Sequence, residues 1–256
     1  MKVKNKLLVA AVCALATSAG YANPMTVDVR FGENVFKDSG SVAVALKVGG
    51  DEITGVAAGR FQGTALNVTG VPESIFVDSL DHLFAYCYDI YDPTYAKEKN
   101  TYSIKLDGET ARTLKFLGAV NFVLNAENDI YDQFAWLHPT SRYQGAAIQL
   151  GIWESLYETK DLNWDLRVGN FSASGVRGAS GDWSKTDGWW KTFLSAMDSS
   201  TSLDGDYVMV LASDRRQDLI TADPPLAVPE PGSLALLGLG LGGLFWVRHR
   251  KMTMVD

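Results

Sequence analysis

The apolar residues of this chain change period once, near Asp107, and that change restricts the fold to one in which strands and helices occupy separate blocks. Upstream, residues 26–31 and 41–48 alternate apolar with polar, and the second run ends at the turn Gly49-Gly50-Asp51. Further strands are predicted at 53–61, 65–68, 74–77, 83–90 and 101–106. Downstream, Ala111, Leu114, Leu117 and Val120 or Asn121 recur at helical spacing, which predicts a helix over 109–124 with Thr110 near its start. A second helix is predicted from Ser141 or Tyr143 to Tyr157. A third covers 187–197, with Trp189, Trp190, Phe193, Leu194 and Met197 on one face. A strand at 163–168, a Gly/Ser-rich loop at 172–181 and a returning strand at 207–212 complete the pattern, and no solenoid-type repeat interrupts it. The expected fold class is α+β, a β-sandwich or barrel lobe packed against a small helical lobe.

Both ends carry addressing features. Lys2, Lys4 and Lys6, the apolar run 7–16 and the small-residue site Gly20-Tyr21-Ala22 read as a secretory signal peptide over 1–22, cut after Ala22. Cys13 lies inside it, and Val12 fits a lipoprotein signal poorly. At the other end Val228-Pro229-Glu230-Pro231 precedes an apolar stretch over 233–247 and the basic cluster Arg248-His249-Arg250-Lys251. The prolines hold the chain extended and exposed. The apolar stretch is shorter than the ~20 residues that span a bilayer comfortably. The basic cluster favours the cytoplasmic side. Together these residues resemble the PEP-CTERM sorting signal, which implies an exosortase-type processing enzyme as a partner. The resemblance also implies a short transmembrane helix before processing, then release or re-anchoring at the cell surface or outside it. The alternative is an ordinary C-terminal anchor. The expected division is a signal peptide over 1–22, an α+β domain over 23–213, a linker over 214–227 and a sorting signal over 228–251.

Removing residues 1–22 and 226–256 takes away six basic and two acidic residues, so the net charge goes from −7 for the whole chain to about −11. Such a body repels phosphate backbones, which argues against a nucleic-acid partner. The remaining length suffices to bury a substantial core. With Cys13 gone, Cys87 is the only thiol, and no intramolecular disulfide can form. In an oxidising compartment such a thiol is buried, paired between chains, or used.

Two segments bear on its use: Tyr86-Cys87-Tyr88-Asp89 within 84–90, and Ile148-Gln149-Leu150-Gly151-Ile152-Trp153 within the second predicted helix. They resemble the thioester domains of bacterial surface adhesins, which pair an aromatic-Cys-hydrophobic-Asp segment with a helix of the form Thr-Gln-x-Ala-Ile-Trp. Ile148 stands where threonine is common and Gly151 where alanine is, and Gly151 is expected to loosen the helix. The resemblance implies a thioester between Cys87 and Gln149, with Tyr86, Asp89 and Trp153 as its surroundings. Attack of the thiolate on a carboxamide expels ammonia and leaves an acyl group that awaits an amine or hydroxyl. An amide is a poor electrophile, so sulfur and carbon must be held at near-attack distance. Trp153 would shield the bond, and Asp89 would orient a neighbouring backbone group or the incoming amine.

Gln62, Gln133, Gln144 and Gln217 are other conceivable partners, set behind Gln149 because none sits in the matching helix. The plainer reading leaves Cys87 a small buried hydrophobe and Gln149 bonded to a backbone carbonyl. His82 and His138 are too few and too far apart in sequence for a zinc site, and a Cys87/His138 hydrolase dyad is a minor alternative. No metal or cofactor is expected. The sequence therefore points to an exported surface or matrix protein, not an enzyme, that attaches covalently to a ligand bearing an amine or hydroxyl. The competing function is non-covalent matrix or glycan binding without a thioester.

Overall fold

A computed structural model describes residues 24–159 and 163–222. The expected signal peptide, the cut after Ala22, the Pro229-Glu230-Pro231 tripeptide and the helix over 233–247 lie outside the described residues. The strands are β1 (Thr26–Phe31), β2 (Val42–Val48), β3 (Asp51–Ala58), β4 (Phe61–Thr69), β5 (Leu83–Cys87), β6 (Lys99–Lys105), β7 (Phe171–Gly175), β8 (Val208–Ala212) and β9 (Leu219–Ala222). The α-helices are α1 (Ala111–Asn128), α2 (Arg142–Tyr157) and α3 (Ser180–Ala196).

The class is α+β. Six strands close into a barrel in the order β1-β4-β5-β9-β8-β6, every neighbouring pair antiparallel. Closure leaves this sheet without an unpaired edge. A separate sheet, β3-β2-β7, is also antiparallel. Both α2 and α3 pack on it, and α2 also touches β5, so α2 links the two sheets.

That position explains the composition of α2. Every residue from Gln144 to Ser155 is buried, so the helix has no solvent face through its middle. Such a helix is buried all round rather than striped, with the polar residues Gln144, Gln149, Glu154 and Ser155 set among its apolar ones. Its N-terminus is capped by Ser141, whose side chain accepts from the Gln144 N–H, as Thr110 accepts from Thr113 to start α1. Gly151 does not loosen α2. A Cβ there would lie 2.0 Å from Cζ of the fully buried Phe116 on α1, so glycine lets the two helices approach. Phe116 in turn stacks on Trp164 and meets Trp190 and Phe193 of α3, so α1 and α3 share an aromatic cluster whose Phe116 lies against Gly151 of α2.

Several boundaries differ from the sequence reading. The strand expected over 53–61 is divided between β3 and β4, and 74–77 holds a single 3₁₀ turn, Glu73–Ile75. No strand forms at 163–168. It lies instead at β7, inside the expected Gly/Ser-rich loop, because small residues let it run close under α3: a Cβ on Gly175 would meet Trp183 Cβ at 2.6 Å. The third helix starts at Ser180 rather than 187. The expected linker over 214–227 contains β9, which is buried along its length and pairs with β5 and β8. The folded domain therefore continues past 213. Among the described residues no helix is long and apolar enough to cross a membrane.

One carboxylate ties three barrel strands. Asp28 on β1 accepts from Lys99 Nζ at 2.7 Å and Thr101 Oγ1 at 2.5 Å on β6, and from Asn67 Nδ2 at 2.7 Å on β4. These bonds, Lys99 foremost, hold its pKa at about 2 instead of 3.8 against the opposing effect of burial. A depressed acid stabilises the fold above its unfolded pKa and loses that contribution as pH falls through its folded one. Acid unfolding of the purified chain should therefore steepen between about pH 4 and 2, and Asp28→Asn should flatten that interval. An unchanged profile in the variant would show that Asp28 carries no such linkage. Glycine contacts give a second expectation. Gly151→Ala should lower stability by about 1–3 kcal/mol through overpacking, whereas Gly145→Ala in the same helix, whose Cβ would have only ordinary contacts from 3.5 Å outward, should be neutral or stabilising in thermal unfolding.

Candidate functional site

Cys87 is the last residue of β5, at the point where the barrel loses a neighbour on one side. On the other side β9 continues: Cys87 lies opposite Leu219, and the Tyr88 N–H donates to Asp218 O at 2.7 Å. Strand β4 begins at Phe61, opposite Ala85, and offers nothing further along. Successive residues of a strand direct their N–H and C=O to alternate neighbours. With Tyr88 turned to β9, the polar groups of Cys87 face the place where β4 is missing.

Gln149 fills that place. The Cys87 N–H donates to Gln149 Oε1 at 2.9 Å, and Gln149 Nε2 donates to Cys87 O at 2.8 Å. A fully buried carboxamide from the centre of α2 thus stands in for one residue of a paired strand. Each buried backbone group left without a partner would cost about 1–3 kcal/mol. Both polar atoms of Gln149 are occupied by the main chain of Cys87, which is the backbone-bonding role that the plainer reading gave it.

The sulfur has a different neighbour. Cys87 Sγ donates to Gln217 Oε1 at 2.9 Å. Since a C=O bond is about 1.2 Å long, the carboxamide carbon of Gln217 is no more than about 4.1 Å from the sulfur. Gln217 sits in the turn between β8 and β9, two residues before the partner of Cys87 in the ladder. Its Nε2 donates to Asp89 O at 2.7 Å, and its Oε1 also accepts from Thr94 Oγ1 at 2.8 Å. The expected partners therefore separate into two roles: Gln149 meets the backbone of Cys87, and Gln217 meets its thiol. Sequence reasoning set Gln217 behind Gln149 because it lies outside the helix that carries the matching motif, in a stretch that read as a linker. The largely apolar run Leu219-Ile220-Thr221-Ala222, one residue beyond Gln217, was the available signal of a strand.

The remaining predicted residues are supports. Asp89 Oδ1 accepts from the Asp92 N–H at 3.0 Å and its Oδ2 from the Asp218 N–H, so this carboxylate fixes the backbone beside Gln217. Tyr86 is fully buried, stacks on Trp136 and donates its hydroxyl to Trp136 O at 3.1 Å. Trp153 is fully buried, one helical turn beyond Gln149. Burial first, and the Asp89 charge second, push the Cys87 thiol well above its usual pKa and keep it protonated. His138 is engaged elsewhere, with Nε2 3.0 Å from Asp78 Oδ1 and Nδ1 3.3 Å from Asp132 Oδ2. Among the described residues no group of three or more His, Cys, Asp or Glu side chains is arranged to hold a metal ion.

The segment between β5 and β6 covers the pair. Ile90 N–H donates to Tyr157 Oη at 3.1 Å, and the Arg216 guanidinium binds Glu98 at 2.7 Å and lies over the Tyr95 ring at 4.8 Å. Cys87 is 3% and Gln217 8% exposed, so bulk water scarcely reaches either. Thr94, on the same segment, is only half-buried.

Comparison with known proteins bears on the tail rather than on this site. No curated protein and no solved structure matches the chain. Residues 227–251 match the PEP-CTERM protein-sorting motif, which marks an exported protein handled by an exosortase at the membrane.

Proposed function

We propose that this exported, exosortase-sorted protein carries an internal thioester between Cys87 and Gln217 and uses it once, to bond covalently to a ligand bearing an amine or hydroxyl at the cell surface or in the extracellular matrix. The observation that carries this reading is the 2.9 Å approach of Cys87 Sγ to the side-chain oxygen of Gln217, both residues being buried. Gln149 is assigned the role of holding the Cys87 backbone, which supports moving the bond from the helix glutamine to the turn glutamine.

The reaction balances without a co-reactant. Sulfur bonds to the Gln217 carbonyl carbon, the C–N bond breaks, and the thiol proton leaves with the amide nitrogen as ammonia. The neutral thiol already donates its hydrogen toward this carboxamide, so its proton has a short route. Cys87 ends β5 and Gln217 lies in the turn that leads into β9, so the β5–β9 ladder holds the partners together, which favours near-attack geometry and the large effective molarity that an unreactive amide requires. Burial then protects the product from hydrolysis. Because opening returns the thiol and consumes the acyl group, each molecule acts once and is no enzyme.

A non-covalent binding protein with the same sorting tail is the competing reading, and mass spectrometry of the purified chain separates the two. The intact mass should fall short of the sequence by one ammonia. Cys87→Ala and Gln217→Ala should each abolish the deficit, and methylamine should label Gln217 and release the thiol. Gln149→Ala should instead lower stability, by about 1–3 kcal/mol for each backbone group it leaves unpaired. A full mass with an unmodified Cys87 would overturn the thioester, and a methylamine adduct on Gln149 would move it back to the helix.

A further inference from the structure

Two donors converge on the side-chain oxygen of Gln217, and the proposed chemistry uses only one of them. The first is the Cys87 thiol, which is consumed when the bond forms. The second is the Thr94 hydroxyl, at 2.8 Å. We propose that Thr94 is a catalytic residue of the thioester, donating its hydroxyl hydrogen to the Gln217 carbonyl oxygen while negative charge gathers there, both when the bond forms and when a ligand opens it. The proposal rests on the Cys87–Gln217 reading above.

In both directions the trigonal carbon becomes tetrahedral and its oxygen takes up charge. During formation, sulfur adds to carbon and ammonia departs with the thiol proton. During opening, an amine nitrogen adds to the same carbon, the C–S bond breaks, and the amine proton passes to sulfur, leaving a substituted amide and a free thiol. A buried oxyanion with no donor would be costly, and both Cys87 and Gln217 are buried. Once Cys87 is acylated its thiol hydrogen is gone, and among the described residues Thr94 is then the donor left at that oxygen. The Gln217 nitrogen, by contrast, bonds the Asp89 carbonyl, an acceptor that orients the carboxamide and is relinquished with the ammonia.

The placement of Thr94 is also defined. Its segment is tied at one end by Asp89, whose carboxylate binds the N–H groups of Asp92 and Asp218. At the other end Arg216, adjacent to Gln217, binds Glu98 and covers Tyr95. The hydroxyl is thus fixed from both sides against the residue it would activate. Thr94 is half-buried while Cys87 and Gln217 are scarcely exposed, so of the three it is the most open to solvent.

The test measures, for each variant of the full chain, the fraction carrying the ammonia deficit and the rate at which methylamine opens that fraction. Removing one oxyanion donor characteristically slows such a step about 10²- to 10³-fold. Thr94→Val and Thr94→Ala should therefore show a reduced deficit or an opening rate lower by about 10²-fold or more, with thermal unfolding close to that of the parent. Thr94→Ser, which keeps the hydroxyl, should restore both. Rescue by serine distinguishes hydrogen donation from packing. Parental fractions and rates in Thr94→Val, or failure of Thr94→Ser to recover when Thr94→Val is impaired, would overturn the role of Thr94 while leaving the thioester standing. A parent chain with no deficit would overturn both.

Discussion

The two hydrogen bonds from the Gln149 carboxamide to the Cys87 backbone are the constraint on which the site depends. They close a gap in the barrel that arises because β4 runs out opposite Ala85 while β5 continues two residues further. A side chain completing a sheet from the middle of a helix must be delivered at a fixed height and angle. The helix that delivers it is therefore buried on every side and pressed against α1 at Gly151. Through this contact the barrel, the helical layer and the three-stranded sheet determine jointly where the last residue of β5 sits. With the backbone of Cys87 fixed toward α2, its sulfur is free to meet the turn before β9.

The fold was readable in the sequence wherever one face of an element is buried and the other wet. Residues 26–31 and 42–48 alternate and are strands, and the Thr110 and Ser141 caps begin α1 and α2. It was less readable where burial is complete or packing is close. Leu219 to Ala222 is too short and too uniformly buried to alternate, so β9 passed for a linker. Ser172-Ala173-Ser174-Gly175 has loop composition, yet its small side chains are what let β7 pass beneath Trp183.

The candidate site was legible in half. The aromatic-flanked Cys87 and the helix glutamine could be found from local pattern, because each lies within a run of residues that packs together. Their relationship could not. Spacing along a chain does not reveal whether a glutamine meets a cysteine through its backbone or its sulfur. Gln217 is 130 residues from Cys87 in sequence and adjacent only through the β5–β9 ladder. The division between two glutamines, one bonded to the Cys87 backbone and one to its thiol, is a property of barrel closure. Thr94 was invisible for the same reason: a lone threonine in an irregular segment carries no periodic signal, and its significance comes from the oxygen it approaches.

The proposed thioester joins Cys87 to the turn glutamine and leaves the helix glutamine intact. A high-resolution crystal structure of the freshly purified chain tests this without any variant. The account predicts continuous electron density from Cys87 Sγ to the side-chain carbon of Gln217, no nitrogen on that carbon, and Gln149 still bonded to the Cys87 backbone. Separate density for a free thiol beside an intact Gln217 carboxamide, or continuity with Gln149, would contradict it.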